Sequence, residues 1–249
     1  MSAAGSLLFA RYAWPPNERG YCGPPDSSLV DIGARAQLFD GAWSYLEYLA
    51  SVVGVDDPLD VRVVEAYWVG NDLLLSASSA ALVAFLADRF RGQLGGTWRS
   101  ASTRAVPHHS FQVFEVYPWA GILAKTGHPQ ALSVLQDCRI RTGTVLSVAD
   151  GTAAVSSAPL VWDGSRLSIG PLRHESVRWS APLPAPVPGD LVSLHWDWIC
   201  DTITPAQAAS IAARERPYLS VPGQFGVDAE AALDRAGLEG AAQRGDPLP

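Results

Sequence analysis

Lysine is almost absent from this chain. Lys125 is the only one, so arginine supplies nearly all the positive charge, and acidic residues exceed basic ones by 25 to 18 for a net charge of −7. A phosphate-backbone partner needs a basic patch that can displace counterions, and no stretch here supplies one, so nucleic acid is excluded as the expected partner. The arginine bias itself reads as codon usage in a GC-rich genome. Cysteine is scarce as well. The three residues, Cys22, Cys138 and Cys200, are odd in number and widely scattered, which excludes a disulfide framework and fits a reducing cytoplasm. A long hydrophobic run is also missing. The most apolar stretch, 73–87, contains Ser76, Ser78 and Ser79 and reads as a buried helix, so no membrane span is expected. Leu7–Ala10 is too short for a signal-peptide core and is interrupted by Arg11. No internal repeat occurs.

What is present is a globular composition, 48% hydrophobic and 17% charged, with ample length for a core. The pattern divides the chain into a mainly helical domain over 1–136, a small β-rich domain over 137–216 and a mobile tail over 217–249. In the first, Ala34, Leu38, Trp43, Tyr45, Leu46 and Leu49 recur at helical spacing up to Gly54. Asp60 then opens a second helix through Trp68, and a third runs over 73–90. The opening stretch 9–25 carries Tyr12, Trp14, Pro15, Pro16, Tyr21, Cys22, Pro24 and Pro25. Its prolines predict an extended or turning segment, and its aromatics predict that the segment lies ordered across the body. Cys22 then either fills a tight turn or faces the same site as Cys138.

The stretch from Pro107 to Trp119 carries adjacent histidines, His108 and His109. As a strand they would point to opposite sides, so only one faces any given site. With Glu115 they lack the spacing of a zinc-protease helix. Either histidine is a candidate ligand or supporting residue, against the simpler reading of a histidine satisfied at a domain junction. A short helix over 129–136 feeds directly into Cys138 without a flexible linker.

Beyond it, short β-branched runs are split by turn signals at Ala149-Asp150-Gly151 and Asp163-Gly164. They read as hairpins of a small barrel. The barrel opens just after Cys138, in Cys138-Arg139-Ile140-Arg141-Thr142-Gly143-Thr144-Val145. It closes through Pro188-Gly189-Asp190-Leu191-Val192-Ser193-Leu194-His195, and a helix over 204–214 follows, with Thr204 as N-cap and Pro205 at the first helical position. In their order and separation, the Cys, the Gly-x-Val, the Pro-Gly-Asp loop, the His and the Ala-rich helix resemble the HypC/HupF hydrogenase-assembly chaperones, over Cys138 to Glu215. Thr142 stands where that family has Pro. Trp162, Trp196 and Trp198 make this barrel more aromatic, and Cys138 is internal where the chaperones carry the Cys as their second residue. Over its whole length the chain also resembles a family of bacterial proteins that share its opening, its His-His-Ser-Phe and its Pro-Trp stretches.

The fold expected is therefore α+β: a helical N-terminal domain plus a small C-terminal β-barrel, OB-like and HypC-like. A thiolate and an imidazole suit a borderline-soft metal ion, and two protein ligands suit one that brings its own ligands and later leaves. The resemblance implies that Cys138 is the thiolate that holds iron carrying cyanide and carbon monoxide, with His195 as the second ligand or its hydrogen-bonding neighbour. It also implies that the protein is a non-enzymatic maturation factor and that its partners are the [NiFe] hydrogenase large subunit or other maturation proteins. Two other classes stay open: a Cys–His thiol enzyme, and a metal-free interaction module whose tryptophans dock a partner.

Overall fold

A computed structural model describes residues 2–219, apart from 26, 93–95, 97, 100–102, 182 and 184. Helix α1 (Ala3–Glu18) opens the chain, capped where the Ser2 side chain accepts the Gly5 N–H. This overturns the extended reading of the opening stretch, at least as far as Glu18. Pro15 and Pro16 fall in the last turn of α1, where the missing N–H groups leave two carbonyls free but do not stop the helix. The expectation of an ordered segment on the body holds, since Phe9 and Tyr12 are fully buried.

The run expected as one helix up to Gly54 is divided. Helix α2 (Leu29–Ala34) starts on a reciprocal capping box between Ser28 and Asp31, a 3₁₀ turn covers Ala36–Leu38, and α3 (Asp40–Val53) ends on Gly54 in the left-handed conformation, φ 69°. Helix α4 (Val61–Trp68) is capped by Asp60 as its sequence predicts. The expected third helix is also broken: a 3₁₀ turn (Asp72–Ser76) precedes α5 (Ser79–Arg89), because Ser78 caps a new start by accepting the Ala81 N–H.

The histidine pair opens a helical segment, not a strand. His108 is the N-cap and its Nδ1 accepts the Ser110 N–H; a single turn, α6 (His109–Phe111), then widens into a π-helical turn over Gln112–Val116. Helices α7 (Trp119–Thr126) and α8 (Pro129–Cys138) complete the helical half.

Among the described residues seven strands follow: β1 (Arg141–Ala149), β2 (Thr152–Ser157), β3 (Leu160–Trp162), β4 (Leu167–Ile169), β5 (Arg173–Arg178), β6 (Leu191–His195) and β7 (Trp198–Thr202). Five of them close on themselves in the order β1-β2-β5-β7-β6, while β3 and β4 form a separate hairpin. The closing contact is one parallel pair, Arg178 with Trp198. The interior of the barrel is small and apolar, built from Val145, Val155, Val177, Val192, Leu194 and Ile199. Gly143 is needed there, because a Cβ at that position would sit 2.3 Å from the Val155 side chain. Helix α9 (Pro205–Leu219) then packs back on β1, β4 and β6. Thr204 and Gln207 cap its start reciprocally. The helix runs past the expected tail boundary at 217: Tyr218 is buried, with its ring stacked on Phe114. The remaining tail, 220–249, lies outside the described residues.

The two halves share one core. A single apolar cluster runs from Phe9 in α1 through α3 and α4 to Trp196, Trp198 and Tyr218. Along β6 the side chains alternate, so Val192 and Leu194 fill the barrel while Ser193 and His195 point out of it onto α1. That alternation places an imidazole between the barrel and the helices.

Candidate metal centre

Three donors from three distant parts of the chain meet at this junction. The ligand atoms offered by His109, Cys138 and His195 all lie within 4.8 Å of one another, and all three residues are buried. Bond lengths of about 2.0–2.3 Å to zinc-like ions imply ligand-to-ligand separations of roughly 3.3–3.8 Å. Small side-chain shifts would bring the set onto one ion.

Each histidine is fixed by a backbone carbonyl that a helix leaves free. His195 Nδ1 donates to the Tyr12 carbonyl at 2.7 Å. In an unbroken helix that carbonyl would accept from residue 16, but Pro16 has no N–H to give. The proline thus frees the acceptor that holds the imidazole. His109 Nε2 donates to the Cys138 carbonyl at 2.8 Å, at the end of α8 where the last carbonyls have no helical partner. Both bonds set a tautomer, with the proton on the nitrogen facing the backbone and a lone pair on the other. The His195 lone pair, on Nε2, is buried and makes no well-formed hydrogen bond among the described residues, although the Cys138 backbone lies close to the ring. On His109 the lone pair, on Nδ1, meets only the Tyr67 hydroxyl, at 3.2 Å.

Aromatic side chains hold the rings in place. Trp68 lies 4.6 Å from the His109 ring and 5.8 Å from that of His195, and it also stacks on Tyr12. Trp196, next to His195, has φ 54°, a left-handed conformation costly for a bulky residue. It is held by both ends of its backbone: its N–H donates to the Asp137 carbonyl and its carbonyl accepts from Arg141, each at 2.7 Å. Tyr21 packs on its ring at 4.3 Å. The end of β6 is thereby tied to the residue preceding Cys138.

Burial also sets the charge state. It pushes the Cys138 thiol well above its ordinary range, with Cys22 and Asp137 adding to the effect. It lowers His109 to about 4 and His195 well below its ordinary value, the latter helped by neighbouring His109. Without an ion the cluster is a neutral thiol and two neutral imidazoles. A cation would reverse the balance at sulfur, since metal binding displaces the thiol proton.

Of the residues singled out in the sequence, Cys138 and His195 come together and His109 joins them. Cys22 lines the same cavity as the three donors but is not one of the converging set; burial raises its thiol to about 12. His108 turns away, fully buried, and is lowered to about 3, first by burial and then by His109 and Arg214. Trp196 and Trp198 are buried and offer no free docking surface. The roles of Tyr12, Trp68 and Trp196 were not read from the sequence; the one signal for Tyr12 was the Pro16 four residues on.

A family described as "Family of unknown function (DUF6390)" matches residues 1–225. The chain belongs to the DUF6390 family. The match spans the helical half and the barrel alike, so every donor of the cluster lies inside the DUF6390 region. No curated protein and no solved structure matches the chain. Among the described residues no helix is long and apolar enough to cross a membrane.

Proposed function

We propose that this protein binds a transition-metal ion through Cys138, His109 and His195 and serves as a non-enzymatic maturation or accessory factor for [NiFe] hydrogenase in the cytoplasm. The observation that carries the metal reading is the buried Nε2 of His195, which makes no well-formed hydrogen bond and is held by the Tyr12 bond toward a thiol and a second imidazole. A buried polar atom left unpaired costs about 1–3 kcal/mol, which an ion would recover. One sulfur and two nitrogens suit iron, zinc or another borderline ion. The hydrogenase reading rests on the resemblance of 138–215 to the HypC/HupF chaperones, and with it come an OB-like barrel and iron carrying cyanide and carbon monoxide as the cargo.

The thiol-enzyme alternative is disfavoured by the position of Cys138. It lies at the C-terminal end of α8, where the helix dipole opposes a thiolate, and burial opposes it further. An activated nucleophile needs the reverse environment.

The test is anaerobic purification, followed by metal analysis and an infrared spectrum in the cyanide and carbonyl stretching region. Iron in stoichiometric amount with such bands supports the full reading. Stoichiometric zinc without them leaves the metal site and removes the hydrogenase cargo.

A further inference from the structure

In front of the three donors lies a cavity of about 480 Å³. The cluster, Tyr67 and Trp68 are buried parts of its lining, while Leu38 and Asp40 stand exposed at its rim. Its walls include the rings of Tyr21, Phe39, Trp119 and Trp196, and no arginine or lysine is among the described lining residues. The volume lies in the range of small-molecule sites, and the lining mixes ring faces with the polar groups of Tyr67, Tyr117 and the cluster.

The protein brings three donors within reach of one ion, one fewer than a closed four-coordinate site needs. Cys22, the remaining thiol in the cavity, is outside the converging set. The loop bearing it is held in place, because Asn17 Nδ2 donates to the carbonyls of both Cys22 and Pro24, at 2.8 and 2.9 Å. An ion on the triad would therefore have a coordination position facing a ready-made aromatic chamber.

Resting on the metal reading above, we propose that this chamber is the binding site for an external ligand of the ion: a neutral small molecule with an aromatic or other apolar body and one nitrogen or sulfur donor. Apart from the ion itself, no described lining residue is a cation that would pair with a phosphate or carboxylate on the body of the ligand, and the Asp40 carboxylate stands at the rim. The ring-lined walls favour a flat apolar body.

The full chain loaded with cobalt(II) tests this through its visible absorption, with imidazole and phenylimidazole as ligands. Both donors should shift the bands saturably, and phenylimidazole should bind at least about tenfold more tightly, because its second ring is buried. Ala42→Trp fills the cavity from a wall residue that is no part of the cluster. It should keep stoichiometric cobalt and lose most of the preference for phenylimidazole. Equal affinities for the two ligands, or an unchanged preference in Ala42→Trp with normal cobalt loading, would overturn the proposal. If Ala42→Trp fails to fold, the comparison of the two ligands on the unaltered protein still decides. Normal cobalt loading with no response to either ligand sinks this inference alone; failure to load cobalt sinks the metal reading with it.

Discussion

Cys138 separates a metal ligand from a core cysteine more sharply than any other residue. It lines the cavity, so the hydroxyl of a Cys138→Ser variant has polar neighbours and space for solvent. The variant should lose stoichiometric metal while its metal-free thermal midpoint stays close to that of the parent. A cysteine with no ligand role predicts instead that metal content and function per folded molecule are unchanged by the substitution. Metal analysis and a thermal melt on one preparation distinguish the two. The histidines give a second test through pH. His109 and His108, lowered to about 4 and about 3, stay neutral in the fold where the unfolded chain takes up protons, near 6.5. Their contribution is complete above about pH 6.5 and is lost as the pH falls through the folded values. Denaturant midpoints of the metal-free protein should be flat above neutrality and fall between about pH 6.5 and 4, by on the order of 3 kcal/mol from His109 alone. A flat profile down to pH 4 would mean that these rings are not buried and neutral.

At the level of elements, α1 and β6 carry the argument together. Pro16 looked like a helix breaker; in the structure it removes one N–H inside a helix that continues, and the freed Tyr12 carbonyl orients His195. Pro16→Ala restores a competing donor for that carbonyl. It should keep the fold yet weaken metal binding about 10–100-fold, as is typical when the group orienting a ligating histidine is lost. Metal competition titrations of the two proteins check this, and unchanged affinity would detach the Tyr12 bond from the site. The same pair shows what was legible in the sequence. The hairpins around Asp150-Gly151 and Asp163-Gly164, the Asp60 and Thr204 caps and the strand ending in His195 follow from local patterns, and all are present. The helical His109–Val116 segment was not legible, because its widened turn is completed from afar: the Glu115 carbonyl accepts the Trp98 N–H. The convergence of His109 on Cys138 and His195 is likewise tertiary, and no spacing in the chain encodes it.

The whole molecule is held as one body by buried charge as well as by its shared core. Arg139, immediately after Cys138, donates from Nη1 to both carboxylate oxygens of Glu215 in α9, each at 2.9 Å, with side chains only 4% and 8% exposed. Removing one partner strands the other in the interior. Arg139→Met or Glu215→Leu alone should cost about 3–5 kcal/mol, and the double variant should recover much of that loss. Chemical denaturation of the three proteins measures it, and simple additivity would mean that the pair does not act as a unit. The clamp fixes the junction from which the thiol, the His109 acceptor and the first strand all depart, so the singles should also loosen metal binding. In the proposed site one sulfur and two imidazole nitrogens hold one ion where the helices meet the barrel. X-ray absorption at the metal edge of the loaded protein tests it most directly. The account predicts one sulfur at about 2.3 Å with nitrogens near 2.0–2.1 Å, and loss of the sulfur signal in Cys138→Ser. A first shell without sulfur, or one unchanged by that substitution, would contradict it.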